Sequence, residues 1–408
     1  MSRNEAFDVI IVGGGPSGSS CALSLSRAGL NVLLVDKAKF PRDKICGDAL
    51  SLDVINQLPK ISPHLVNDFD LLSGKMPAFG VRLFSPDLTC IDLPFVYKGQ
   101  QRCGYIVQRL EFDDLLFQEV KRSGNIRVVE NCEVTAVNAG TDRVTVMTNA
   151  SAHEASIIVG ADGANSVVRQ LQGRVSVDRD HHSAGLRVYY EGLNSFHTEN
   201  FIELYFFKDI LPGYLWLFPM AGNRANVGIG MLSSLISKKR INLREVLHRL
   251  ISTHPALTDR FATARPLENM KGHGLPLGSK RRSISGERFL LTGDAAGLID
   301  PFTGEGIGNA IRSGRVAAEH IQRCFKQMNF SSSFNKSYDQ EINRRMGKEF
   351  NISHRLQQLC RYPALFNFIF KKAKANPYWH DFLTKALADV DQKKQFKNPM
   401  FYYRLLFG

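Results

Sequence analysis

Phe7-Asp8-Val9-Ile10-Ile11-Val12-Gly13-Gly14-Gly15-Pro16-Ser17-Gly18 is the stretch on which the fold turns. Apart from Asp8, residues 7–12 form an apolar run rich in β-branched side chains, the pattern of a strand buried on both faces of a parallel sheet. Glycines follow at once, and residues 19–28 then read as a helix stopped at Gly29. Residues 31–35 make a second buried strand that ends at Asp36, completing a βαβ unit. The spacing Gly13-x-Gly15-x-x-Gly18, with Ser17 inside it, gives a tight turn and a close main-chain approach to a diphosphate at a helix N-terminus. Asp36 stands 18 positions beyond Gly18, where a carboxylate accepts hydrogen bonds from a ribose. A dinucleotide site is the expectation.

Further strands of the same sheet are expected at residues 127–129, 156–159 and 289–292. The stretches between them have another character. Residues 79–84, 185–190, 201–207, 214–219 and 225–231 alternate apolar and other side chains, with turn residues such as Gly222-Asn223 between them. That period predicts an antiparallel sheet with two unlike faces. After Gly304 the pattern turns helical, punctuated by Pro363, Pro377 and Pro399. The expected class is α/β: a Rossmann-like dinucleotide-binding domain from 1–75, 105–180 and 284–325, an inserted antiparallel β-sheet substrate domain from 76–104 and 181–283, and a helical, basic C-terminal region over 326–408.

With 408 residues, 44% of them hydrophobic and 22% charged, the chain can bury a large core, and disorder is not the default. No apolar run approaches the roughly 18 residues of a membrane span. The first strand begins so early that no signal peptide is expected before it. The 7 cysteines lie far apart with no CxxC pair, which predicts a reduced, cytoplasmic protein without a metal site. His181-His182 has no partner at ligand spacing. The net charge is +13, and from His320 onward 16 Lys or Arg stand against 6 Asp or Glu. That excess reads either as a solvated helical face or as peripheral contact with an acidic membrane surface; nucleic acid is not expected, because no recognition motif accompanies the charge.

Two later motifs identify the dinucleotide. Gly160-Ala161-Asp162-Gly163-Ala164-Asn165-Ser166-Val167-Val168-Arg169 follows one buried strand, and Leu291-Thr292-Gly293-Asp294-Ala295-Ala296-Gly297 ends another, leading to Pro301, Gly304, Gly306 and Gly308. With the first fingerprint they resemble the hydroxybenzoate-hydroxylase-like superfamily of FAD proteins. The resemblance implies that Asp294 bonds the ribityl chain and that the loop from Pro301 to Ile307 edges the isoalloxazine. A helix starting near Gly306 suits that role, because its free N–H groups and dipole favour the negative charge of a reduced flavin.

A narrower resemblance rests on Pro41-Arg42-Asp43-Lys44-Ile45-Cys46-Gly47 and on Tyr214-Leu215-Trp216-Leu217-Phe218-Pro219. P-x-x-K-x-C-G together with Y-x-W-x-F-P is similar to the geranylgeranyl reductase family of flavoproteins. Carried over by position, the resemblance implies FAD contacts at Gly13, Gly15, Ser17, Gly18, Asp36, Cys46, Gly47, Ala49, Arg109, Val134, Asp162, Asp294, Pro301, Gly304, Gly306 and Ile307. Asp36 stands where many relatives have Glu. It also implies reduction of carbon–carbon double bonds in a prenyl or isoprenoid lipid. An isolated alkene has no carbonyl to accept hydride, so protonation precedes hydride delivery from flavin N5, and the site needs an acid and a dry pocket. Cys46 is the candidate acid, a thiol with an ordinary pKa of about 8.5; otherwise it packs under the ring. Tyr214, Trp216 and Phe218 share one strand face and line an apolar tunnel or serve as sheet core. With no second glycine fingerprint, the electron donor expected is NAD(P)H docking transiently, or ferredoxin. Two rival readings share the scaffold: a flavin monooxygenase or halogenase, whose F-P-R segment Phe40-Pro41-Arg42 approaches, and a non-catalytic flavin-containing polyprenyl binder.

Overall fold

The computed structural model describes residues 5–97, 99–173 and 176–388; the end of the expected helical region, 389–408 with Pro399, lies outside the described residues. Its first sheet is organised around Glu5–Val12, which runs parallel to Val32–Val35 on one side and to Ala152–Gly160 on the other. Ile126–Val129 extends the sheet beyond Val32–Val35, and Phe289–Leu291 pairs parallel with the end of Ala152–Gly160. Val9, Ile10, Ile11 and Val32 to Val35 are buried, as a sheet covered on both faces requires.

Register then fixes where chemistry can occur. Val12 lies opposite Val35 and Gly160, and Gly160 lies opposite Leu291. The carboxyl ends of these strands are therefore level, and Gly13, Asp36, Asp162 and Asp294 all emerge along one edge. A crevice outside the carboxyl ends of parallel strands is where doubly wound sheets bind ligands. The helix Pro16–Leu25 starts from that edge and packs on Ile307–Gln327. Contact is close: a Cβ on Gly314 would lie 2.1 Å from the Ser17 carbonyl oxygen, and one on Gly18 would lie 1.8 Å from that of Gly13.

Two antiparallel strands, Val134–Ala139 and Val144–Thr148, extend this sheet from the first half of Ala152–Gly160. The sequence reading did not pick them out. Their alternation is broken by a bulge between Val134 and Ala136 and by polar residues.

The second sheet runs in the order Arg265–Pro266, His182–Glu191, Arg224–Leu232, Tyr214–Met220, Ile202–Tyr205, Gly80–Phe84, Cys90–Pro94, with Lys271–Pro276 also on His182–Glu191. It departs from the expected antiparallel pattern once, because Ile202–Tyr205 pairs parallel with Gly80–Phe84. Those strands come from distant parts of the chain, so no hairpin forces their direction, and side-chain alternation is the same for either. Of residues 76–104, Met76–Ala78 and Gly104–Ile106 join Ala49–Leu50 in a separate small sheet.

Past Ile307–Gln327 come the helices Ser332–Leu359, Pro363–Ala375 and Pro377–Ala388. Phe366, Phe370, Trp379 and Phe382 bury themselves in one cluster with Val81, Ile91 and Leu93 of the second sheet and with Phe206, just past Ile202–Tyr205. No helix among the described residues is long and apolar enough to cross a membrane.

Candidate active site

At the strand edge, the Asp36 carboxylate accepts the Gly14 N–H at 2.7 Å and the Ala38 N–H at 2.8 Å. These bonds hold the glycine turn closed and leave lone pairs for hydroxyl donors. Cys132 donates its N–H to the Asp36 carbonyl at 2.9 Å, which sets Val134 two residues from that corner. Ser17 is buried at the helix start, and Gly15 faces only the Arg42 guanidinium, 3.3 Å from where a Cβ would stand.

Arg109 opens the helix Arg109–Arg122 and forms a bidentate pair with Asp113 at 2.6 and 2.8 Å, while Arg42 adds a third bond to Asp113 at 2.8 Å. Burial opposes charge on Arg109, but Asp113 and the nearby Cys46 outweigh it and hold its pKa above the ordinary value. Two guanidiniums against one carboxylate leave a positive excess beside the glycine turn, which suits a diphosphate.

Asp294 heads the turn of helix Gly293–Ala296 and takes a bond from Lys44 at 3.2 Å. Burial pushes its carboxyl up, yet Lys44, His273 and Arg109 hold it below the usual carboxylate range. Arg169 caps the same turn by donating to the carbonyls of Ala295 and Asp294. Asp162 accepts the Val167 N–H at 2.7 Å through one oxygen, while its other oxygen is buried without a partner.

Beyond Asp294, the loop from Pro301 to Ile307 is folded on Asp300, whose carboxylate accepts the N–H groups of Phe302 and Thr303 at 2.9 and 2.8 Å. Gly304 has φ +73°, and Gly306 caps Ile307–Gln327 without any side-chain hydrogen bond. The N–H groups of that helix start are thus left for a ligand. Burial pushes Glu305 up to about 7, although the Ser51 hydroxyl donates to it.

The loop around Cys46 faces this edge from the other side. Asn226 donates to the Cys46 carbonyl at 2.8 Å and to the Asp48 carboxylate at 2.9 Å, and accepts the Trp216 indole N–H at 2.9 Å. Asp48 is fully buried at φ +65° and takes a further bond from Tyr189 at 2.6 Å. Burial pushes its pKa up to about 6 against the donors Tyr189 and Asn226. A Cβ on Gly47 would stand 2.9 Å from the Phe218 ring. Ala49, next along, pairs with Ile106 in the small sheet.

Tyr214, Trp216 and Phe218 follow one another on this face, with ring centroids 6.4 and 6.3 Å apart. Tyr214 donates to the Thr303 carbonyl at 2.5 Å, Trp216 binds Asn226, and Phe218 covers Gly47. Their strand therefore touches both the Cys46 loop and the loop at 301–307, with the rings between. His181 and His182 stand apart, bonded to Ser279 and Ser233 respectively. Among the described residues no group of His, Cys, Asp or Glu could hold a metal ion.

The residues fit an FAD. The glycine turn, the uncapped helix start and the excess of cations match a ribose, an isoalloxazine edge and a diphosphate. Two buried polar atoms, Asp162 Oδ1 and His273 Nε2, lack partners within the protein. Sequence reasoning missed Asn226 and Tyr189, which bind Asp48, and His273. Their partners lie far away in the chain, and nothing in the local pattern marks them.

Known proteins resemble the chain in sequence and in fold. Residues 184–273 match the family model for the geranylgeranyl reductase catalytic domain, and residues 8–44 match that for FAD-dependent oxidoreductases. The chain is 28% identical over 375 residues to a menaquinone reductase of Mycobacterium tuberculosis, covering 89% of this chain and 86% of the relative. It is 29% identical over 350 residues to digeranylgeranylglycerophospholipid reductase 2 of Methanosphaera stadtmanae, covering 84% of each. Among solved structures, a geranylgeranyl bacteriochlorophyll reductase-like protein of Thermoplasma acidophilum superposes with a TM-score of 0.78 at 23% identity, over 98% of both chains. A flavin-dependent brominase superposes at 0.77 with 20% identity, over 98% of this chain and 99% of its own. Likeness at these identities shows a shared fold.

Proposed function

We propose that the chain, an FAD-dependent oxidoreductase similar in sequence to the geranylgeranyl reductase family, reduces carbon–carbon double bonds of an isoprenoid lipid. The reading rests on one observation. The aromatic strand of the reductase segment closes over the Cys46 loop and the loop at 301–307, with Asn226 bonding both Trp216 and the Cys46 main chain. Digeranylgeranylglycerophospholipid and menaquinone, the molecules in the relatives' names, both carry isoprenoid chains. FAD held by Asp36, Arg109, Asp294 and the amides at Gly306 and Ile307 would supply the hydride.

The protein's part is the proton and the pocket. The Cys46 thiol protonates one alkene carbon, its S–H bond breaking as a C–H bond forms, and hydride then reaches the other carbon. Solvent then returns a proton to the thiolate left behind. Trp216 and Phe218 keep water from the cationic carbon, and an aromatic face stabilises positive charge.

Lipids from a host producing the chain should gain two mass units per reduced bond. Anaerobically, the isoprenoid should speed reoxidation of the reduced enzyme. Oxygen-dependent hydroxylation or halogenation of an added substrate would instead support the rival enzymes, and an isoprenoid that binds without effect on reoxidation would leave only a binder. Cys46→Ala and Cys46→Ser should keep bound FAD and lose turnover by about 10²-fold or more. Full turnover in either variant removes Cys46 as the acid.

The electron donor we propose is NAD(P)H docking transiently, given the single glycine fingerprint. Arg361 and Tyr362 are exposed just before the helix Pro363–Ala375, Lys371 and Lys374 are exposed on it, and Tyr378 is exposed on Pro377–Ala388. We take this face as a peripheral contact with anionic lipid. Binding to vesicles should require anionic lipid and weaken as salt shortens the screening length. Binding indifferent to both would leave a plain solvated face.

A further inference from the structure

We infer that Glu305 is a positioning residue for the cofactor: by accepting the Ser51 hydroxyl it grips the Gly304–Gly306 turn and sets the main-chain N–H groups that meet the flavin. This rests on the flavin reading of the site.

The turn is hard to hold by ordinary means. Gly304 and Gly306 flank Glu305 without side chains of their own, so only Glu305 gives the turn a side chain to be gripped by. Upstream, the loop is well tied. The Asp300 carboxylate accepts two N–H groups, Gln357 donates to the Pro301 carbonyl at 2.6 Å, and Tyr214 donates to that of Thr303. The Glu305 main chain takes bonds from the Asp300 N–H at 2.9 Å and the Asn309 amide at 3.2 Å, and donates to the Thr303 hydroxyl at 3.2 Å. Those partners lie in the loop itself or in the helix that follows it. Among the described residues, the Glu305 side chain is what reaches out to another part of the chain, meeting Ser51 Oγ at 2.5 Å, 254 residues away.

Ser51 stands at the N-cap of Leu52–Ile61, where a serine hydroxyl ordinarily accepts an N–H of its own helix. Here it makes no such bond. The hydroxyl is turned to Glu305 instead. Gly308 makes room for the meeting: a Cβ there would lie 2.8 Å from Glu305 Oε1 and 2.8 Å from Asp53 Oδ2. The start of Leu52–Ile61 is docked on Ile307–Gln327 by other bonds, from Arg312 to Asp53 at 2.7 Å and from Gln57 to the Gly308 carbonyl at 3.1 Å. Ser51 is therefore a fixed post to which the turn is held.

What the bond sets is the direction of the N–H groups of Gly306 and Ile307. They follow Glu305 in the chain and begin a helix that has no side-chain cap. Such donors favour the negative charge of a reduced flavin most when they are already aimed at it. A turn released from Ser51 keeps its peptide groups but loses their fixed aim. The reduced flavin then loses more than the oxidised one, and the reduction potential falls.

The test is the two-electron midpoint potential of bound FAD in the full-length protein, measured against a redox dye during anaerobic reduction. Ser51→Ala should lower it by about 30 mV, a tenfold change in the reduction equilibrium. Ser51→Thr keeps the hydroxyl and should match wild type. Ser51→Val, close to threonine in shape but without the hydroxyl, should fall with Ser51→Ala. Glu305→Gln keeps an accepting oxygen, and its potential should be no lower than that of wild type. Unchanged potentials in Ser51→Ala and Ser51→Val would overturn the inference while leaving the flavin site intact. So would a fall in Ser51→Thr or Glu305→Gln equal to that in Ser51→Ala, because the bond would then not be what matters. A wild-type protein that binds no FAD would overturn the flavin reading and this inference with it.

Discussion

A carboxylate removed from water has to be met by donors, and Asp48 is met by Tyr189, Asn226 and the Arg109 N–H. They do not fully compensate its burial, since its pKa stands at about 6 against the ordinary 3.8. The sign follows directly: a raised folded-state value favours the protonated form. Ionised Asp48 therefore costs the folded state about 3 kcal/mol at neutral pH, a cost that shrinks as pH falls from 7 towards 4. Tyr189→Phe removes the shortest of these bonds and keeps the ring that Arg187 stacks on at 4.0 Å. Urea unfolding should show a loss of about 1–2 kcal/mol at slightly alkaline pH and a smaller loss near pH 5, where no charge needs the hydroxyl. An equal loss at both values would mean that Asp48 is already protonated at neutrality.

Between elements, the tie that matters is the one holding the Cys46 loop to the second sheet. Arg187, fully buried on His182–Glu191, binds Asp43 of that loop at 3.0 Å and Glu268 near the sheet's edge. Lys271 bonds the same two carboxylates from the surface at 2.9 and 2.7 Å. Two ion pairs to one partner set need not be equal. Removing Arg187 empties a fully buried site and leaves Asp43 and Glu268 with Lys271 alone, whereas an exposed lysine loses little to solvent. Arg187→Ala should thus cost about 2–5 kcal/mol, mostly in lost packing, and Lys271→Ala less than about 1 kcal/mol, both read by denaturant unfolding. Similar costs for the two would show that the cluster acts as one surface network. This tie also marks a limit of the sequence. Gly13, Gly18 and Asp36 were legible because a tight turn held by a carboxylate at the next strand's end admits few residue types. Cys46 and the strand at 214–219 could be read as motifs. Nothing local shows that Asp43 will meet Arg187, 144 residues on, or that Asp48 will meet Asn226, 178 residues on. Strand direction was illegible for a similar reason: the parallel pair of Ile202–Tyr205 with Gly80–Phe84 alternates as an antiparallel pair would.

Across the whole molecule, the site exists only where three distant parts of the chain meet, and Phe206 stands at that meeting. Its ring lies 5.7 Å from Tyr214 of the aromatic strand, 6.4 Å from Phe302 of the loop at 301–307, and 4.9 Å from Phe366 of the C-terminal helix Pro363–Ala375. The ring is 2% exposed, so removing it leaves a hole that no one neighbour can fill. Phe206→Ala should cost about 3–5 kcal/mol in unfolding free energy. Geometry adds a second consequence. Tyr214 and Phe302 bracket the main-chain contact at Thr303, next to the Gly304–Gly306 turn, so loosening their packing loosens the main chain there. FAD should leave the variant faster than wild type, measured as the rise of free-flavin fluorescence on dilution well below the unfolding temperature. Phe366→Ala removes the helix side of the cluster alone; it should cost comparable stability and leave the release rate near wild type. Release rates raised equally in both variants would mean that the C-terminal helices, and not the aromatic strand, hold the flavin loop in place.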